Sequence, residues 1–300
     1  METQPALRFI KPEVLSRISN MQLLAKTVVE GFLSGLHKSP YKGASVEFMS
    51  YRSYIHGDDP LHVDWKLYAR TDRLYVKEYE DETNTSINLL VDVSPSMGFA
   101  SSDVTKLDYA FYLAASLGYF MWMQQEAVGM TLFDDKIVQR IPARKASGHL
   151  LTVLQHMDRA NLGEPTAMGK PLHQLAELQK KRGFVVLISD LLDDPEEIID
   201  GIKHFRFAGN EVIVFHLFDL QEVEFGYGDM VEFEDLETGE KMLLDADTAK
   251  ATYLQNLEAY RTRLYEQCAV LGADYHLVTT DQPLDFALFQ FLAARSKRKK

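Results

Sequence analysis

An α/β fold built on a doubly wound, mainly parallel sheet is predicted by three features of the sequence. From about Thr85 onward, short apolar runs alternate with longer helical patterns, as when crossover helices join parallel strands. The runs 185–188 and 212–215 show no polar alternation, which is expected of strands covered on both faces. The run Ile87-Asn88-Leu89-Leu90-Val91 stops at Asp92-Val93-Ser94-Pro95-Ser96-Met97, so a buried strand delivers one carboxylate and two hydroxyls into a tight loop.

The elements follow in order. Strands are expected over 87–92, 127–133, 136–141, 184–190, 211–217 and 274–278, with the Asp134-Asp135 turn joining the second to the third. Helices are expected over 106–125, 150–159, 168–180, 195–207, 248–271 and 283–294. Asp193-Asp194-Pro195 gives the fourth helix a cap and a proline start, and Gly209-Asn210 stops it. The uncharged run 109–125 contains Ser116 and Gly118 and ends in Gln124 and Gln125. It is too short and polar for a membrane span of about 20 apolar residues. It reads as a core helix, with Tyr109, Phe111, Tyr112, Tyr119, Phe120 and Trp122 in its packing. Around Glu237-Thr238-Gly239-Glu240, the runs 230–233 and 241–244 read as a hairpin projecting from the domain edge.

The first part of the chain differs. Residues 12–36 look like two short helices, and 44–80 is rich in Tyr, Arg and Asp without helical period. The expected organisation is an N-terminal α+β extension over 1–84 packed on the main domain, the α/β domain over 85–295, and a basic tail over 296–300. The basic cluster Arg295-Ser296-Lys297-Arg298-Lys299-Lys300 reads as a solvated, frayed end.

Composition narrows the function. The 300 residues carry a net charge of −12, which argues against tracking a nucleic-acid backbone. The single cysteine, Cys268, allows neither an intramolecular disulfide nor a cysteine zinc site and reads as a small buried hydrophobe. No charged segment followed by an apolar one opens the sequence, and Asn84-Thr85-Ser86 is a glycosylation sequon without use unless the chain is secreted. The expected location is cytoplasmic, with no membrane span.

In a doubly wound sheet, ligands bind outside the carboxyl ends of the strands at the topological switch point. Asp92 and Asp190 both end expected strands; Ser94 and Ser96 follow the first, and Thr166 precedes a helix. Singly, each has a plain structural use as an Asx turn, a loop serine or a helix cap. Together, two carboxylates and three hydroxyls form a hard oxygen set suited to Mg²⁺ (or Mn²⁺ or Ca²⁺), at ligand distances of about 2.0–2.1 Å for Mg²⁺. Hydroxyl ligands add no charge, so the ion stays electrophilic and can take a carboxylate from another molecule.

Asp92-x-Ser94-x-Ser96-Met97, with Thr166 and Asp190 downstream, resembles the metal-ion-dependent adhesion site of von Willebrand factor type A domains. Further strings narrow the likeness: Phe48-Met49-Ser50-Tyr51-Arg52-Ser53-Tyr54, Gly57-Asp58-Asp59, Val63-Asp64-Trp65, Ala69-Arg70, Val76-Lys77-Glu78, and Asp235-Leu236-Glu237-Thr238-Gly239-Glu240. They resemble the bacterial family called domain of unknown function fifty-eight, from about residue 20 to 295. One departure stands at Leu61-His62, where that family usually has an arginine. The resemblance implies a von Willebrand factor type A-like fold, a metal held by Asp92, Ser94, Ser96, Thr166 and Asp190, and a protein partner supplying an Asp or Glu. It also implies a MoxR-type AAA+ ATPase as co-worker in chaperone-like maturation or assembly of other proteins.

Other chemistry fits less well. A metal-dependent phosphohydrolase in the same crevice is the enzymatic alternative, but Ser94 stands where an Asp-x-Asp pair needs its second carboxylate. The stretch 163–170 has the wrong glycine spacing for a phosphate loop, and Pro171 replaces the Mg²⁺-binding hydroxyl. Ser94 lacks a nucleophile elbow. Asp58, Asp59 and Asp64 with Arg52, Arg70 and Arg73 read as docking ion pairs, and His56 with His62 lacks further metal ligands. The expectation is a non-enzymatic adaptor.

Overall fold

A computed structural model describes residues 12–16, 20–36, 51–53, 75–77, 86–163, 168–179, 181–228, 230–236 and 238–296. Thr166 lies outside them, as do His56, Asp58, Asp59, His62, Asp64, Arg70, Arg73 and the end of the basic tail. The chain divides into two compact units, one of residues 39–84 and the other of 1–38 with 85–300. In the smaller unit, β1 (Tyr51–Ser53) pairs antiparallel with β2 (Tyr75–Lys77).

The larger unit begins with α1 (Pro12–Leu15) and α2 (Met21–Leu36), then runs β3 (Ser86–Asp92), α3 (Lys106–Met123), β4 (Ala127–Phe133), β5 (Ile137–Arg144), α4 (His149–Asp158) and α5 (Gly169–Leu178). It continues through β6 (Phe184–Ser189), α6 (Pro195–Phe207), β7 (Glu211–Phe218), α7 (Leu220–Glu224), the hairpin β8 (Met230–Glu234) and β9 (Lys241–Asp245), α8 (Ala246–Leu271), β10 (Asp274–Thr279) and α9 (Leu284–Ser296). The expected α/β class is what forms. Six strands make one sheet in the order β10-β7-β6-β3-β4-β5, parallel throughout except for β5. Numbered along the chain, those strands lie 3-2-1-4-5-6. Connections wind one way from β3 through β4 and the other way from β6 onward, so the switch point falls between β3 and β6.

Two cores explain the unbroken apolar strands. Ile87, Leu89, Val91, Val186, Ile188, Ile213 and Phe215 face one core, shared with α2, α3, α4 and α9. Leu90, Val185, Leu187, Val212 and Val214 face the other, shared with α5, α6 and α8. Successive side chains point to opposite faces, so a strand buried on both needs apolar residues at every position.

The two initial helices belong to this unit rather than to a separate extension. Helix α3 is buried almost all round, resting on the sheet with one face and meeting α2 and α9 with another. A helix that is apolar on every side needs cover on every side. Leu24, Ala25, Val28, Val29 and Phe32 of α2 supply it, all buried. Of the aromatic residues expected in that core, Tyr109, Phe111, Tyr112 and Phe120 are buried, whereas Trp122 is 40% exposed at the helix end.

Strand β5 extends past the expected stop at Ile141. Pro142 sits at a register shift between the Met130–Ile141 and Val128–Arg144 pairs on the edge of the sheet, where a missing N–H is tolerated. Gly129 lies opposite that bulge, and a Cβ there would meet the Ala143 amide nitrogen at 2.6 Å. Helix α9 runs to Ser296, and Arg295 is half-buried and paired with the buried Glu126. The basic cluster therefore begins inside a packed helix. Cys268 is buried, and burial pushes its thiol up to about 12.

Candidate metal site

Asp92 is the last residue of β3, and Ser94 opens the loop that follows. The Val93 amide donates to the Phe133 carbonyl at 2.9 Å, continuing the sheet by one residue. The Ser94 amide then donates to Asp92 Oδ1 at 2.9 Å, an Asx turn that bends the chain away from the sheet. Residues Pro95–Gly98 make a single 3₁₀ turn. Val93 and Met97 are fully buried and anchor this turn in the core. Ser94 and Ser96 bring their Oγ atoms to 3.0 Å of each other, both residues buried.

The switch-point neighbour β6 ends at Ser189, one residue before Asp190. Ser189 Oγ donates to Asp92 Oδ2 at 2.6 Å, which ties the two strand ends together. The same oxygen accepts the Leu191 amide at 2.8 Å. Leu191 adopts φ +51°, a costly conformation for a branched residue. It is held by Tyr260, whose hydroxyl donates to the Leu191 carbonyl and, at 2.9 Å, to the Asp193 carbonyl. Behind Asp190, His216 Nε2 donates to the Asp190 carbonyl at 2.7 Å, and Nδ1 meets the Tyr275 hydroxyl at 2.5 Å. Burial lowers the His216 pKa to about 3. The ring is therefore neutral, with its proton on Nε2, since a carbonyl can only accept.

Asp92 and Asp190 are both buried. Burial and then the Asp190 charge push the Asp92 carboxyl up to about 7, against hydrogen bonds from Ser189 and Ser94. A buried cation that the sequence pattern did not single out pairs with Asp190. Lys106, first residue of α3, is fully buried and reaches Asp190 Oδ2 at 2.7 Å and Glu222 Oε1 at 2.8 Å. Burial alone would lower its pKa, but Asp190 and Glu222 outweigh burial and hold the ammonium above the ordinary lysine range. Glu222 belongs to a capping box in α7 with Asp219, whose amide donates to Glu222 Oε2 at 2.7 Å.

Of the five residues expected to hold a metal, Asp92, Ser94 and Ser96 lie at the end of β3 and in the loop after it, and Asp190 follows β6, its neighbour across the switch point. Thr166 lies outside the described residues. On either side of residues 164–167, the Gly163 amide donates to the Val93 carbonyl at 2.6 Å, and the Met168 amide donates to Asp193 Oδ2 at 2.6 Å. Among the described residues there is no group of three or more His, Cys, Asp or Glu arranged to hold a metal. The donor set here is of another kind, two carboxylates and paired hydroxyls, and it fits a hard divalent cation. A cation would also relieve the mutual repulsion that burdens Asp92. Lys106, Glu222, Ser189 and His216 were missed. The Asp219-Leu220-Gln221-Glu222 spacing of a capping box was the one available signal among them.

A doubly wound α/β protein with an oxygen-donor cluster at its switch point is what fold and site define. The chain belongs to the family described as "Protein of unknown function DUF58", which matches residues 50–263. It is 26% identical over 293 residues to uncharacterized protein Rv1480 of Mycobacterium tuberculosis H37Rv, covering 95% of this chain and 91% of that one. Among solved structures it is similar to the conserved hypothetical protein BatB from Bacteroides thetaiotaomicron, at TM-score 0.47 and 13% identity over 71% of this chain and 99% of that one. It is also similar to the SpRpn10 VWA domain, at TM-score 0.39 and 14% identity over 69% and 94%. Among the described residues no helix is long and apolar enough to cross a membrane.

Proposed function

We propose that the protein is a Mg²⁺-dependent, non-enzymatic protein-binding adaptor of the cytoplasm. Asp92, Ser94, Ser96, Asp190 and Thr166 would hold the ion, and Mn²⁺ or Ca²⁺ could stand in for Mg²⁺. The bound ion supplies an electrophilic position for an Asp or Glu side chain of the partner. The chain's own residues set the stage. Val93 and Met97 anchor the serine loop, Ser189 ties Asp92 to the neighbouring strand, and neutral His216 fixes the Asp190 backbone.

The observation that carries this reading is the buried meeting of Asp92, Ser94, Ser96 and Asp190 at the switch point, with Asp92 raised to about 7. Exposed Leu162 and Leu192, beside Gly163 and Asp190, offer apolar rim contacts of the kind a protein partner uses. The family resemblance adds a MoxR-type AAA+ ATPase as the partner that performs work in chaperone-like maturation or assembly.

The test is retention of a host MoxR-type ATPase, or of its client, on immobilised wild type and Asp92→Ala, each with Mg²⁺ and with EDTA. Retention by wild type with Mg²⁺ and loss in the other three arms is expected. Equal retention in all four arms would refute the reading.

A further inference from the structure

We infer that Lys106 is a built-in competitor for the metal: its ammonium and a divalent cation share Asp190, so this side chain sets how tightly the site takes the ion. The inference rests on the metal reading above and adds a residue that the adhesion-site motif does not contain.

The placement of Lys106 is costly in two ways. It occupies the first position of α3, where the helix dipole disfavours a positive charge. Its residue is 0% exposed, where an unpaired ammonium would carry a large desolvation penalty. A methionine would fill that place without either cost. Two carboxylates hold the charge there, Asp190 at 2.7 Å and Glu222 at 2.8 Å, and the Phe99 ring centroid lies 5.8 Å away. Asp190 Oδ2 is committed to this pair, while among the described residues Oδ1 accepts the Leu192 amide at 3.5 Å.

A hydrogen bond to a ligating carboxylate can act in either direction. By orienting the carboxylate it strengthens metal binding, typically 10- to 100-fold. By charge it weakens binding. An ion bonded to Asp190 at about 2.1 Å would sit roughly 5–6 Å from an ammonium on the same carboxylate. Repulsion between a double and a single positive charge at that separation, at an effective dielectric of about 20, outweighs the orienting effect by powers of ten.

Glu222 makes the competition workable. It stands on α7, outside the predicted ligand set, and it keeps the ammonium paired when Asp190 turns to the ion. Lys106 therefore needs no route to solvent, and the exchange is confined to one shared carboxylate.

The test is calorimetric titration of the full chain, stripped with EDTA and dialysed, with MgCl₂ and with MnCl₂. Wild type, Lys106→Met and Glu222→Gln are compared, with circular dichroism and thermal melting to verify folding. Lys106→Met should bind at least 10-fold more tightly than wild type and regain on adding Mg²⁺ the stability it loses in EDTA. Glu222→Gln, which leaves the ammonium to Asp190 alone, should bind several-fold more weakly; if Lys106→Met fails to fold, this second variant carries the test. Equal or weaker binding by folded Lys106→Met, or unchanged binding by Glu222→Gln, would overturn the role of Lys106 while leaving the metal reading intact. Absence of binding by every protein, Lys106→Met included, would overturn both.

Discussion

Asp92→Asn in metal-free protein is the sharpest probe of the site. The Asp92 carboxyl is pushed up to about 7 in the folded chain from an ordinary 3.8. Below pH 4 it is protonated whether folded or unfolded, so it imposes no penalty. As the pH rises through the window from about 4 to about 7, the unfolded chain releases its proton first and folded stability falls. Some three pH units at about 1.4 kcal/mol each give a burden of roughly 4 kcal/mol at pH 8. Asparagine escapes that burden but cannot accept from both the Ser94 amide and the Ser189 hydroxyl, a loss of about 1–2 kcal/mol. The variant should therefore exceed wild type by ~2 kcal/mol at pH 8 in EDTA, some 5 °C in Tm for a chain of this size. Near pH 4 the order should reverse. Differential scanning calorimetry from pH 4 to pH 8 measures both. Saturating Mg²⁺ should raise wild type and leave the variant unmoved. A variant-minus-wild-type difference that stays flat across that pH range would refute the argument.

Three further outcomes are expected. His216, neutral at about 3 in the fold, loses stability for the protein as pH falls from about 6.5, because the unfolded ring gains its proton first. His216→Asn should be less stable than wild type at pH 8, and urea melts should show the gap narrowing by about 1.4 kcal/mol per pH unit below 6.5. Leu24→Ala on α2 should cost about 2–5 kcal/mol of global stability in denaturant melts, as a core truncation does; a cost near zero would place α2 outside the cooperative unit. Gly163→Ala would bring a Cβ to 2.3 Å from Asp134 Oδ2, so it should lower stability by ~1–3 kcal/mol and weaken metal binding measured by calorimetry.

The parts legible in the sequence are those decided by strong local pattern. The run 184–188 is apolar at every position because both faces of β6 are covered, so it could be read directly. Asp92, Ser94 and Ser96 could be read because an Asp-x-Ser turn after a strand is local chemistry. Asp194 capping α6 before Pro195 and Gly209 at φ +83° closing it belong to the same class. Lys106 could not be read, since a lysine in the first turn of a helix looks solvated until Asp190 after β6 and Glu222 on α7 arrive beside it. His216 sits within an apolar strand, and its role depends on Tyr275, 59 residues away. The placement of α2 was legible in principle: a helix as apolar all round as α3 needs a third layer, and Leu24, Val28 and Phe32 offer a matching face.

The edge strand β5 limits how this protein can meet others. Its outward row carries Lys136 just before it and Arg140 and Arg144 within it, Pro142 supplies no amide, and two register shifts bend it out of line. The same strand of a second copy would meet like charges, and any incoming strand would meet an interrupted row of hydrogen-bonding groups. Partner recruitment by β-augmentation, and edge-to-edge pairing of copies in the crowded cell, are thus disfavoured along that edge.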